Sequence, residues 1–419
     1  MDRARGILRR LTAAAFFMNA GTFLVLAAIP YKVLHLGGGP VWLGVVPAVS
    51  SGTYVIVTQL TGRWSDRVGR YRMTRYGSLA FVAFASLTFA APDLPRFLLV
   101  MPLLGLGMGL FWPVMQAAVG DLSASPRRLA ANIGGFNVSW SLGKSLGYFA
   151  GGLALARYDF RSTFLAGIGL VALAFLAQPR EDDARGVSDG TAAPDGAGAE
   201  AAPEAAGVRL AAAHTADAAA AGGAPGDEPD VPEATRRVFR RMGWVANLAA
   251  YGTGAVLNHQ MPAWFESAGW GEDRFGLFLG IVFLVQTATF LLLSGPVRFA
   301  YSARRLVAPQ LVAAAALLLM PLAPGWGTVL LAAPLLGVSF GVCYAASIFA
   351  SLHADSGRGR NAGTHESLLG LGILLMPLLG GVGARATGWL GAPYALAAVV
   401  TLAAVGAQLA WRRRVRPDA

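Results

Sequence analysis

At 419 residues, with 55% hydrophobic and only 14% charged side chains, the chain is too apolar for the two or three soluble domains its length would otherwise suggest. Its formal charge of +11 is lopsided, because twelve of its 23 acids fall between Glu181 and Glu233 while the arginines cluster between long apolar runs. That distribution excludes a continuous nucleic-acid patch and points to a membrane surface, and a single cysteine, Cys343, excludes any disulfide or Cys-based metal site within the chain.

Segments apolar enough to cross about 30 Å of hydrocarbon, roughly 20 residues each, are predicted first at 11–34, 40–61, 76–92, 97–119, 129–156 and 162–178. Arg3, Arg5, Arg9 and Arg10 precede the first of these as in a secretory leader, but the run is too long for a leader and shows no small-residue cleavage site, so a first span is expected. Residues 179–235 then turn to Ala, Gly, Pro and acid. With almost no large apolar side chain to offset the entropy of ordering, they are expected to form a disordered cytoplasmic linker. Six further spans are predicted at 242–265, 273–295, 306–323, 327–352, 363–383 and 391–411. The expected domains are therefore a six-helix bundle over 1–178, the linker over 179–235 and a second six-helix bundle over 236–419.

Orientation follows from the basic residues. Of the 34 Lys and Arg, 27 fall on the side shared by both termini and the linker, six fall on the opposite side, and Lys144 lies within a span. Positively charged loops stay cytoplasmic, so both termini are expected inside an inner or plasma membrane.

The two halves repeat. A shift of 232 carries Pro30 to Pro262, Gly44 to Gly276, Gly105 to Gly337, Gly109 to Gly341 and Trp112 to Tyr344. A shift of 229 carries Gly134 to Gly363, Gly143 to Gly372, Gly151 to Gly380 and Gly152 to Gly381. Paired bundles facing each other across a midplane cavity suit a transporter in which one bundle rocks against the other.

Between spans 2 and 3 stands G-x-x-x-D-R-x-G-R-x-R, with Gly62, Asp66, Arg67, Gly69, Arg70 and Arg72 at its defined positions. Its glycines permit a tight turn, and Asp66 can pair with an arginine or face a helix N-terminus, so the loop is expected to act as a gate. The motif resembles the signature loop of the major facilitator superfamily. The resemblance extends over the chain outside the linker and implies an all-α membrane protein, twelve transmembrane helices in two pseudo-symmetric six-helix bundles working by alternating access. The second half keeps only Gly295, Arg304 and Arg305 of the loop, without the acid.

Span 5 carries Gly134, Gly143, Gly147, Gly151 and Gly152, with glycines at i, i+4 that allow a neighbouring helix close approach. The spacing is similar to the span-5 signature of drug and metabolite antiporters of that superfamily, which would place proline where this chain has Tyr148. Span 11 has the complementary form, Gly363, Gly372, Met376, Pro377, Gly380 and Gly381. The likeness implies export. It also implies that proton-coupled relatives bear an arginine where this chain has Met101.

A second stripe of span 5, Asn137, Trp140, Ser141, Lys144 and Tyr148, lies about 100° from the glycine groove. An ammonium at mid-bilayer depth costs at least about 2.5 kcal/mol unless it faces water or a counter-charge, so Lys144 is expected to line the cavity and attract anionic groups. Trp112, Gln116, Asn137, Trp140, Tyr148, Asn258 and Tyr344 are expected to complete the substrate lining, with Tyr251 and Gln286 nearby. Glu366, equivalent to Asn137 under the 229 shift, is the candidate proton-coupling carboxylate, and His365 and His259 are further candidates. No phosphate-cradling loop, H-E-x-x-H or G-x-S-x-G is present, so no enzymatic activity, cofactor or metal is expected. The expected partners are the lipid bilayer, a small organic substrate and protons, with no nucleic acid. A nutrient importer or uniporter of the same fold, and a transporter-like sensor without flux, are the competing readings.

Overall fold

A computed structural model describes residues 2–122, 126–181, 183, 231–293, 301–352 and 358–413. The disorder expected for 179–235 concerns mainly residues 184–230, which lie outside the described residues. Within them the chain forms twelve α-helices. In the first half these are α1 (Asp2–His35), α2 (Pro40–Val68), α3 (Arg70–Ala90), α4 (Leu94–Asp121), α5 (Pro126–Arg157) and α6 (Phe160–Ala177). In the second they are α7 (Glu233–Ser267), α8 (Glu272–Leu293), α9 (Ala303–Leu322), α10 (Trp326–Leu352), α11 (Arg358–Thr387) and α12 (Ala392–Arg413). Each covers all or nearly all of one predicted span. Among the described residues nine are long and apolar enough to cross a membrane by length and composition, and the other three, α3, α5 and α7, carry arginine clusters or polar stripes.

The helices outrun the apolar runs at the end bearing the termini: α1 begins at Asp2, α2 continues to Val68, α7 begins at Glu233 and α11 at Arg358. Hydropathy marks only the part that lies in hydrocarbon. Once nucleated, helical hydrogen bonding propagates beyond it.

The two halves pack alike. In the first, α1 meets α5 and α6, α2 meets α4, and α3 meets α4 and α6; in the second, α7 meets α11 and α12, α8 meets α10, and α9 meets α10 and α12. The repeat reaches atomic contacts. A side chain at Gly143 would meet the Phe16 carbonyl and the Ala20 nitrogen, and one at Gly372 would meet the Leu248 carbonyl and the Gly252 nitrogen, each pair at the matching positions. Backbones approach this closely because the stripe lacks side chains. In α11, Met376 stands at the position of Gly147, and its side chain packs on Gly252 of α7, which stands at the position of Ala20. The small residue has moved to the partner helix, and the contact survives.

Between the bundles the boundary is α5 on α8 and α2 on α11. Gly152 faces Gly276, Gly44 faces Pro377 and Leu378, and Gly381 faces the Pro40 carbonyl. The Gln260 amide ties this seam by donating to the carbonyls of Pro40 (3.0 Å) and Pro377 (2.8 Å). All these contacts lie in the halves of the helices remote from the termini, here the far end.

The segment expected as a gating loop is not a loop. Gly62, Asp66 and Arg67 continue α2, and Gly69, at φ +101°, is the one non-helical residue before Arg70 opens α3. That positive φ favours glycine. Arg70 Nε pairs with Asp121 Oδ2 at 2.6 Å, Arg67 is exposed, and the side chain of Asp66 lies outside the described residues. The carboxylate standing at the α3 N-terminus is Glu181, whose Oε1 accepts the backbone N–H groups of Tyr71 (2.9 Å) and Arg72 (3.2 Å). Asp183 pairs with Arg10 at 2.7 Å. The start of the acidic stretch therefore belongs to the first bundle, because helix-end amides and an arginine attract its carboxylates.

Candidate functional site

A chamber of about 290 Å³ lies between the bundles. It exists because the glycine face of α5 is spent on α1, which turns the opposite stripe inward. Trp140, Lys144 and Tyr148, spaced by four residues, all line it.

Among the described residues Lys144 forms no ion pair. Its Nζ sits over the Phe283 ring at 3.7 Å and over Phe23 at 4.7 Å, with no hydrogen bond among the described residues. Ring faces attract a cation by about 0.5–2 kcal/mol, more when it is desolvated. Asn137, expected on the wall, is not among the lining residues. Its Oδ1 accepts the Trp140 indole N–H at 2.8 Å, so it positions that ring instead. Asn19 of α1 donates to the Trp140 carbonyl at 2.8 Å from the other side. Trp112 meets Trp140 edge to face at 6.4 Å, and Gln116 lines the chamber on the termini half of α4, where it is exposed. The approach to the chamber is from that end.

The second bundle contributes Tyr251, Asn258 and His259 from α7, Gln286 from α8, Tyr344 from α10 and Glu366 from α11. Tyr251 and Tyr344 pack at 5.5 Å. Glu366 is 46% exposed in its side chain, whereas His365 is fully buried behind it, with Nδ1 2.7 Å from Ser347 Oγ and Nε2 4.0 Å from the Glu366 carboxylate. His365, a proton-coupling candidate, is therefore off the wall but beside Glu366, because successive helical residues point about 100° apart. Asn258 Nδ2 lies 3.0 Å from His259 Nε2. Among the described residues Asn258 Oδ1, His259 Nδ1 and Asn19 Oδ1 are buried without a hydrogen-bond partner.

Of the residues expected to bind substrate, the fold thus brings together Trp112, Gln116, Trp140, Lys144, Tyr148, Asn258 and Tyr344 and leaves out Asn137; of the proton-coupling candidates, Glu366 and His259 line the chamber and His365 lies behind Glu366. The fold adds Asn19, Phe23, Tyr54 and Phe283. Asn19 was discoverable as an amide in an otherwise apolar first span; the two Phe residues carry no signal that separates them from packing residues. Gly134 and Gly363 fall within α5 and α11, but their surroundings lie outside the described residues.

At the far end the chamber is shut by rings and a hydrogen bond between the bundles. Tyr148 stacks on Phe283, Tyr31 meets Phe275 at 5.6 Å, and Ser145 donates to the Gly280 carbonyl at 2.8 Å.

The sequence profile of the Major Facilitator Superfamily matches residues 11–241, more than half of the chain. The multidrug transporter protein MdtP of Bacillus subtilis (strain 168) is 26% identical over 176 residues, 41% of this chain and 32% of that protein. The match thus spans about a third of that relative's length. Among solved structures, the nucleoside transporter NupG aligns over 97% of this chain and 99% of its own, with TM-score 0.66 and 11% identity. The human organic anion transporter MFSD10 (TETRAN) aligns over the same shares, with TM-score 0.59 and 16% identity. At such identities these two show the fold.

Proposed function

Because the chain belongs to the Major Facilitator Superfamily, and is a membrane transporter rather than an enzyme, we propose that it exports a small organic molecule in exchange for protons by alternating access. The observation that carries this reading is one chamber, closed at the far end and approached from the termini end, with Lys144 and Glu366 both on its wall. Under the expected orientation the termini end is cytoplasmic, so this is the state that loads from inside. Lys144 offers a cation to an anionic group, Trp112, Trp140 and Tyr344 offer apolar and ring contact, and Glu366 offers a carboxylate that can bind a proton. The multidrug relative supports export, and the organic anion transporter neighbour is in keeping with an ammonium in the chamber.

Return to the outer side requires Tyr148 to leave Phe283, Gln260 to release Pro40, and the glycine seams of α5 on α8 and α2 on α11 to part. Rocking about such close backbone contacts moves little side-chain bulk.

The test is counterflow and pH-driven uptake in inverted vesicles or proteoliposomes. Glu366→Gln should abolish dependence on the pH gradient while residual counterflow of substrate persists. Unchanged gradient-driven uptake would exclude this carboxylate as the coupling site. Exchange in the wild type with no dependence on a proton gradient would favour the importer or uniporter, and saturable binding without exchange would favour the sensor.

A further inference from the structure

Two opposite charges face the same chamber without meeting. Among the described residues the Lys144 ammonium lies on the Phe23 and Phe283 rings without an ion pair, and the Glu366 carboxylate lies 4.0 Å from the buried His365 ring. In the repeat register Glu366 matches Asn137, and Lys144 stands seven residues further along α5. At 1.5 Å per residue the two positions differ in depth by about 10 Å. Taking a charge out of water without a partner is costly, so a ligand that displaces water from either group gains by supplying the opposite charge. A ligand with one charge answers one of these groups and leaves the other alone.

The surroundings differ in the same sense. Near Glu366, Tyr344 lies edge-on to His365 at 5.3 Å and against Tyr251 at 5.5 Å. Tyr54 enters from α2, whose neighbouring Val55 touches Gly370 one turn along α11. Tyrosine rings that share a chamber wall with a carboxylate suit an organic ammonium. At the other pole the faces of Phe23 and Phe283 already carry the Lys144 ammonium, and what that group lacks is an anion.

We propose that the substrate of this chamber is an elongated dipolar organic molecule, with its anionic end at Lys144 and its cationic end at Glu366 among Tyr54, Tyr251 and Tyr344. The inference rests on the transport reading only in taking the chamber as the substrate site.

The probe is a rigid para,para′-disubstituted biphenyl with an aminomethyl group at one end and a carboxylate at the other, which sets the charges about 10 Å apart, like the two helix positions. It is compared, by calorimetry on the purified full chain, with the two analogues in which a methyl group replaces either charged group. The wild type should bind the dipolar probe at least about tenfold tighter than either analogue, the scale of one charge-assisted contact. Lys144→Met should remove its advantage over the cationic analogue, and Glu366→Gln its advantage over the anionic analogue. Lys144→Arg and Glu366→Asp, which keep the charges, should retain the preference and guard against misfolding of the neutral variants. No binding of the dipolar probe to the wild type, equal binding of an analogue, or an unchanged preference in Glu366→Gln would overturn the proposal. Counterflow is read separately: exchange of a monopolar substrate without dipolar preference sinks this inference alone, whereas dipolar preference without exchange sinks transport alone.

Discussion

Tyr148 lies flat against Phe283 across the boundary between the bundles, ring centroids 5.2 Å apart and 13° from parallel. The Lys144 ammonium, one turn away on α5, rests on the same Phe283 ring at 3.7 Å. One aromatic side chain thus serves both the closure of the far end and the cation in the chamber. In the repeat, the position of Tyr148 is Pro377, which also touches the opposite bundle, at Gly44. Both halves use this position as a contact between bundles, one with a ring and one with backbone.

Removing that ring should loosen the far end. An aromatic pair contributes about 0.5–1.5 kcal/mol beyond its buried area, a two- to tenfold change in an equilibrium. In a Cys343→Ser background carrying Ile29→Cys on the chamber wall, Tyr148→Ala should raise labelling by an impermeant maleimide from the side opposite the termini several-fold. An unchanged rate would show that the stack does not hold the far end shut.

The α1–α5 and α7–α11 seams should tolerate no side chain at Gly143 and Gly372. Gly143→Val and Gly372→Val push against the carbonyls of Phe16 and Leu248, and overpacking of this kind costs about 1–3 kcal/mol. Thermal unfolding in detergent should report a lower midpoint for each. Gly135→Ala has open space around the new methyl and should be neutral or stabilising by up to about 1 kcal/mol. Equal midpoints for Gly143→Val and Gly135→Ala would contradict the packing.

Glu181 should matter where residues 185–230 do not. Glu181→Ala removes the acceptor for two amides of α3, a loss of about 0.5–2 kcal/mol by analogy with other helix caps. Deletion of 185–230 should leave both the unfolding midpoint and transport essentially unchanged. A deletion extended back through Glu181, which also removes the Asp183–Arg10 pair, should lose at least as much as Glu181→Ala, and a midpoint equal to that of the shorter deletion would remove the cap from the account.

At the far end, Asp159 caps α6 by accepting the Ser162 N–H at 2.6 Å, and that backbone bond, with the side-chain bond to the same residue second, holds its carboxyl below the usual aspartate range. A carboxyl depressed in the folded state stabilises above the unfolded value, about pH 4, and that stabilisation is lost as pH falls through the folded value. Asp159→Asn keeps the acceptor without the charge. The wild type should therefore exceed Asp159→Asn in unfolding midpoint at neutral pH, with the difference vanishing in acid; a constant difference would assign the effect to shape alone.

Hydropathy along the chain located all twelve helices, and their repeat was legible because matching glycines mark the same seams in both halves. It misplaced the helix ends, since helical hydrogen bonding does not stop where the hydrocarbon does. It also read Gly62–Val68 as loop, because Gly, Arg, Ser and Asp are poor span residues although good enough for a helix end in water.

The sequence by itself determined the span count, the pairing of halves and the stripe of Trp140, Lys144 and Tyr148, since all of these follow from local period and apolarity. Only the tertiary structure decided which neighbours meet. Asn137 turns from the chamber to hold an indole, His365 hides behind Glu366, Asn19 and Tyr54 enter the wall, and Glu181 caps a helix 110 residues before it in the chain. The physical reason is that a helical pattern gives the direction of a side chain relative to its own axis, whereas the rotation of that axis against its partners is set by where backbones can approach, at Gly143 on Phe16 and Gly152 on Gly276.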